Sequence, residues 1–153
     1  MNADPRVMEF FPACLSRQDS DAMLDRLHAN IAERGFGFWA LEIEGVASFA
    51  GTVGLSVPRF VAHFTPCIEV GWRIAADFWG QGYATEAAKA ALAFGFDQLQ
   101  QSEIVAFTVP ANVKSRRVME KAGMTHDPAG DFDHPSLPEG HALRRHVLYR
   151  KRK

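Results

Sequence analysis

The residues best spaced to do chemistry lie in Phe78-Trp79-Gly80-Gln81-Gly82-Tyr83-Ala84, between a strand-like and a helix-like segment. A helix N-terminus leaves backbone N–H groups unpaired and carries partial positive charge. Glycines there let the backbone approach a phosphate with no Cβ in the way. The loop is therefore an anion-binding candidate. It is not a dinucleotide fingerprint, because Thr85 holds the third glycine position, and no Gly-Lys-Ser/Thr follows to make a Walker A loop. Its plainer and less favoured alternative is a glycine turn joining strand to helix.

The elements that must position this loop follow from periodicity. Cys67-Ile68-Glu69-Val70-Gly71-Trp72-Arg73-Ile74 reads as a strand, with Ile68, Val70, Trp72 and Ile74 on one face and Glu69, Gly71 and Arg73 on the other. After the loop, Tyr83 to Gln100 reads as an alanine-rich helix able to approach a sheet closely. Upstream, residues 16–34 read as a helix capped by Ser16 or Asp19 and ended by Gly35-Phe36-Gly37. Residues 38–43 and 48–55 read as a hairpin turning at Gly45. Downstream come a strand at 103–109, a short helix at 115–121 closed by Gly123, a loop at 125–140 and a last strand at 143–149. The order gives one α/β (α+β) domain over residues 1–153, with a mixed sheet.

Three ordered blocks carry a wider likeness. The first is Ile68-Glu69-Val70-Gly71-Trp72-Arg73-Ile74 followed by Trp79-Gly80-Gln81-Gly82-Tyr83-Ala84-Thr85-Glu86-Ala87. The second is Asn112-Val113-Lys114-Ser115-Arg116-Arg117-Val118-Met119-Glu120-Lys121-Ala122-Gly123-Met124. The third runs from Phe132-Asp133-His134-Pro135 through Pro138-Glu139-Gly140-His141 to Tyr149. With these the chain resembles the GNAT superfamily of N-acetyltransferases, and within it the Rim-type branch that acetylates ribosomal-protein N-termini.

That resemblance implies a mostly antiparallel mixed sheet splayed between two strands and flanked by helices, with acetyl-CoA entering the splay. It implies that Trp72, Arg73 and Ile74 line the pantetheine with backbone groups. The amides from Trp79 to Ala84, with Thr85, would hold the pyrophosphate, and Asn112 would bond the pantetheine arm or a water. Ser115 would protonate the departing thiolate, in place of the tyrosine whose position Met119 takes; its plain alternative is a helix cap. Asp77 departs from the family's Gln or Arg and is expected to point away from the phosphates. A first strand and helix precede Asn2-Ala3-Asp4-Pro5-Arg6-Val7-Met8 in the family. The domain is thus expected to be N-terminally short, with an uncovered sheet edge that invites a homodimer.

An amine attacks a thioester only when neutral, so a base is useful. Glu69 is the first candidate, against a purely structural carboxylate. His134 and His141 follow, against loop-holding or substrate-contacting roles. No His/Cys/Asp set has metal spacing, so no metal is expected. The net charge of −1 gives no argument for nucleic acid, and the terminal Arg150-Lys151-Arg152-Lys153 reads as a solvated tail. Asp127, Asp131 and Asp133 read as solvated loop charge rather than an attraction for a cationic amine. No apolar run is long enough for a membrane span, and Cys14 and Cys67, two isolated thiols, fit a reducing cytoplasm.

Three functions compete: an N-acetyltransferase acting on a protein N-terminus or small amine, a non-catalytic acyl-CoA sensor, and a transferase using the loop for ATP. Acetyl-CoA is expected to raise the melting temperature while ATP does not; the reverse order would reassign the loop to a nucleotide.

Overall fold

The computed structural model describes all 153 residues. Asp4 caps a first short helix, α1 (Pro5–Met8), its carboxylate accepting from the Arg6 N–H, with Pro5 at the first helical position. Ser16 caps α2 (Arg17–Arg34), which ends on Gly35 at φ 75°. The hairpin β1 (Phe38–Ile43) and β2 (Ala47–Ser56) follows, then β3 (Glu69–Ile74), α3 (Tyr83–Asp97), β4 (Glu103–Thr108) and α4 (Val113–Lys121). Two short strands, β5 (Thr125–His126) and β6 (Phe132–Asp133), precede β7 (Arg145–Arg152).

The sheet order is β1-β2-β3-β4-β7-β5, with β6 also pairing β7. Every pairing is antiparallel except β3 with β4. This is the expected mixed, mostly antiparallel sheet. The main core lies between the sheet and α3/α4, where Ile68, Val70, Leu55, Ile104 and Ala106 meet Ala88, Ala91, Leu92, Phe96 and Met119. Alanine and glycine on α3 permit that approach: a Cβ on Gly95 would run into the side-chain ends of Ile104 and Leu55. The opposite face is thinner. No residue of α2, which lies over its β2/β3 part, is buried, and a small cluster of Phe64, Val105, Phe132 and Leu148 fills its β4/β7 part.

Three expectations need correcting. Residues 125–140 are not all loop, because β5 and β6 pair with β7; two-residue strands lie below what periodicity can detect. The short helix starts at Val113 rather than Ser115, because Asn112 accepts the Ser115 N–H at 3.2 Å and so opens the helix two residues earlier. The C-terminal basic run is not a solvated tail. Arg150 pairs with Glu103 at 2.6 Å and Asp127 at 2.7 Å, Lys151 donates to the Ala122 carbonyl, and Lys153 N–H donates to the Ser102 carbonyl. Alternating basic residues thus sit on a paired strand whose neighbours supply carboxylates and carbonyls. Asp127, Asp131 and Asp133 are spent in the same way, on Arg150, on His126 and the Leu148 N–H, and on Arg144 and Arg145.

The β1/β2 crossing depends on a missing side chain. A Cβ at Gly54 would clash with the Gly37 carbonyl oxygen and lie 2.7 Å from the Phe38 Cα, both backbone atoms that cannot yield. Gly54→Ala is expected to cost about 3 kcal/mol of folding stability, read from the urea midpoint. An unchanged midpoint would show that the hairpin closes less tightly than described.

Candidate functional site

The parallel pair β3/β4 has a single register pair, Glu69↔Val105, with Val105 N–H donating to the Ile68 carbonyl at 2.9 Å. Beyond it the strands part. On its other edge β3 stays paired with β2 from Glu69 to Ile74. The Ala75 N–H donates to the Ala50 carbonyl, so the antiparallel alternation turns the backbone groups of the odd-numbered residues toward β2. Those of Val70, Trp72 and Ile74 face the wedge. The Trp72 and Ile74 backbones thus face away from β2, whereas the Arg73 backbone faces it, opposite Thr52.

At the open end of the wedge the glycine loop forms an anion nest. Gly80 and Gly82 have φ 77° and 96°, the left-handed region that favours glycine. No protein carbonyl accepts from the N–H groups of Gly80, Gln81 or Gly82, and those of Tyr83 and Ala84 open α3 with no carbonyl behind them. No side chain caps the helix. Trp79 and Thr85 contribute differently from the expectation, since their amides are spent on the Ala76 and Gly82 carbonyls. The Trp79 indole instead donates to the Ile74 carbonyl at 2.8 Å and carries the Lys114 ammonium 4.2 Å above its ring. Lys114, on α4, thereby brings a cation to the loop that the sequence reading missed. Asp77 is 80% exposed and lies 3.6 Å from Arg6, clear of the nest.

At the closed end, Glu69 is half-buried and accepts a 2.5 Å hydrogen bond from the Ser56 hydroxyl. Burial pushes its carboxyl up to about 7, against the lowering effect of Ser56. A carboxylate poised there exchanges protons near neutrality. Ser56 also escaped the sequence reading; only the β2/β3 register, which pairs Ser56 with Glu69, shows it.

Asn112 caps α4 and donates from its amide nitrogen to the Thr108 hydroxyl at 3.0 Å. Ser115 is not the cap and is half-buried. Met119 is buried in the core. His134 joins an aromatic cluster, 4.5 Å from Phe60 and 5.1 Å from His146, on the side of β4 that carries Phe107. Burial lowers the affinity of His134 and His146 for protons, and for His134 the neighbouring His146 adds to the effect. His141 is placed elsewhere, its Nδ1 accepting the Leu143 N–H at 3.1 Å and holding its own turn.

A mixed sheet parted between two parallel strands, with an anion nest at the open end, is the architecture of an acyltransferase domain. The chain belongs to the acetyltransferase (GNAT) domain family, whose model matches residues 1–125. It is 33% identical over 121 residues to the Bacillus subtilis protein YkkB, covering 79% of this chain and 69% of that one. It is 38% identical over 96 residues to the FsC-acetyl coenzyme A-N(2)-transacetylase of Aspergillus fumigatus, covering 60% of this chain and 40% of the relative. A GNAT-family acetyltransferase structure from Bacillus anthracis superposes with TM-score 0.79 at 26% identity, covering 99% and 84% of the two chains. The ribosomal-protein-S5-alanine acetyltransferase of Vibrio fischeri shares the fold at TM-score 0.68 and 19% identity, covering 88% and 71%. No helix is long and apolar enough to cross a membrane.

The raised pKa of Glu69 has a stability consequence. In the unfolded chain the group ionises near 4.5, in the folded one near 7. The folded state therefore holds its proton more tightly, and stability falls as pH rises between those values, by on the order of 3 kcal/mol. Glu69→Gln is expected to be more stable than the parent at pH 8 and equal to it near pH 4, by thermal unfolding. Equal stability at both would mean that the carboxylate is solvated.

Proposed function

We propose that this domain moves the acetyl group of acetyl-CoA to a primary amine, on a protein N-terminus or a small molecule, by direct attack within a ternary complex. The observation that carries this reading is the wedge itself: β3 and β4 separate after one register pair, with five unspent amides at the open end and a carboxylate tuned to about 7 at the closed end.

The amides of Gly80 to Ala84 suit a pyrophosphate, with Lys114 close by. The backbone of Trp72 and the N–H of Ile74 offer the wedge hydrogen bonds that β4 does not take; a donor of this kind also stabilises the oxyanion that forms when the amine adds. Asn112 bonds the pantetheine arm or a nearby water. Glu69 accepts the amine's proton, directly or through a water, and Ser56 holds its carboxylate in place. The Ser115 hydroxyl gives a proton to the departing thiolate. Direct attack is favoured over an acetyl-enzyme because burial and the Glu69 charge push the Cys67 thiol up to about 11, leaving it protonated and a poor nucleophile at neutral pH. The transacetylase relative, whose name specifies acetyl coenzyme A and a nitrogen acceptor, supports the same class of reaction.

Glu69 is ionised above about pH 7, so kcat/KM should rise through that pH and then level. Glu69→Gln is expected to abolish this rise and lower the plateau by about a hundredfold with CoA affinity intact. Ser115→Ala should lower kcat without changing the pH profile. A Glu69→Gln enzyme with the parental rate and profile would remove Glu69 from the mechanism.

A further inference from the structure

The sheet face bearing Glu69 holds a second feature that the reaction scheme above does not use. A cavity of about 300 Å³ lies between the C-terminal half of α2 and the end of β2, walled by Asn30, Arg34, Phe36, Phe38, Ser56 and Arg59 among others. Ser56 links it to the candidate base, because its hydroxyl is the one bonded to Glu69. α2 lies over the β2/β3 part of this face: the Met23 sulfur is 3.5 Å from Arg73, and Asn30, near the helix end, is 3.5 Å from Arg59.

The charge in this cavity is one-sided. It has two arginines and no aspartate or glutamate in its wall. Arg59 makes no ion pair and meets only the Asn30 side-chain oxygen. The one carboxylate near Arg34 is its exposed chain neighbour Glu33, at 3.8 Å. Farther along the same face Arg73 repeats the pattern. Its Nη1 donates to Asn2 and its plane lies over Phe11, while its buried Nε has no partner. Guanidinium groups without carboxylates, beside apolar walls, favour anions and can grip them in a two-point fork. The larger groove of about 760 Å³, on the α3 side of the hairpin, has the opposite character, with Glu42, Glu44 and Glu86 and no cation. The cofactor phosphates are not the natural occupant of the basic cavity either. Their nest lies beyond the far end of β3, on the order of 16 Å away along the strand.

We infer that this cavity seats an anionic group, a carboxylate or a phosphate, on the acceptor molecule, so that the acceptor is an amine with an acid a few bonds from its nitrogen. The inference rests on the acetyl-transfer reading for the word acceptor, and on the cavity alone for the anion. An anion held by Arg34 and Arg59 places a nearby amine at the Ser56–Glu69 end of β3, where the base is.

The test uses acceptor pairs that differ in the anion: β-alanine against its amide, and O-phosphoethanolamine against ethanolamine. Binding to the CoA-saturated protein is measured first by calorimetry, and thiol release with acetyl-CoA second. The anionic member of at least one pair should bind about tenfold more tightly. Which pair shows this tells carboxylate from phosphate. Arg34→Gln with Arg59→Gln should erase the advantage, with CoA affinity retained as a check on folding, and Arg59→Lys should keep part of it. Added salt should shrink it. Equal binding within both pairs, or a preference that survives the double substitution, overturns the assignment. Anion-dependent binding without thiol release from any acceptor leaves the cavity assigned and sinks acetyl transfer instead.

Discussion

The parting of β3 from β4 is the constraint on which the rest of this molecule depends. Each strand is tied to an antiparallel neighbour along its length, β3 to β2 and β4 to β7, through six register pairs in each case. Between them there is one. Two stiff half-sheets therefore meet at a single point and diverge. A helix packed on one face keeps them from separating: α3 lays Ala88, Ala91, Leu92 and Phe96 against residues of both halves, among them Val70 and Ile104. The divergence leaves strand amides and carbonyls without a strand partner, and buried backbone groups in that state must find water or a ligand. A binding slot of this kind is made by withholding hydrogen bonds rather than by adding side chains.

The same constraint sets the electrostatics. Glu69 sits at the vertex, where the two half-sheets still touch, and burial raises its pKa to about 7. The effect is unfavourable for folding at neutral pH and useful for a base, which needs to gain and lose a proton in that range. One hydroxyl, Ser56, limits the penalty without cancelling it. At the other end the nest amides lie at the surface, on Gly80, Gln81 and Gly82, where water can hydrate them. The exposed end thus suits a polyanion and the shielded end suits proton transfer, and both follow from the angle between two strands.

Much of this was legible in the sequence where the signal is local. The glycines of the loop, the alternation around Glu69 and the alanines of α3 each report their own environment, and the longer elements follow the expected order, while the short α1, β5 and β6 were not foreseen. What was not legible depends on register. Ser56 reaches Glu69 across two strands, Lys114 reaches Trp79 from one arm of the wedge to the other, and Arg73 turns its backbone toward β2 while its side chain enters the α2 face. No spacing along the chain encodes those meetings.

The basic C-terminus shows the limit from the other direction. Four consecutive cations look like a tail because composition alone says that they should be hydrated. On a strand they alternate, and their charge is divided among partners contributed by distant segments: Glu103 from β4, Asp127 from the turn after β5, and carbonyls at the ends of α3 and α4. Those contacts fix β7 along β4, and β4 is one arm of the wedge. The charges that seemed most dispensable in the sequence thus help hold the arm on which the angle of the site depends.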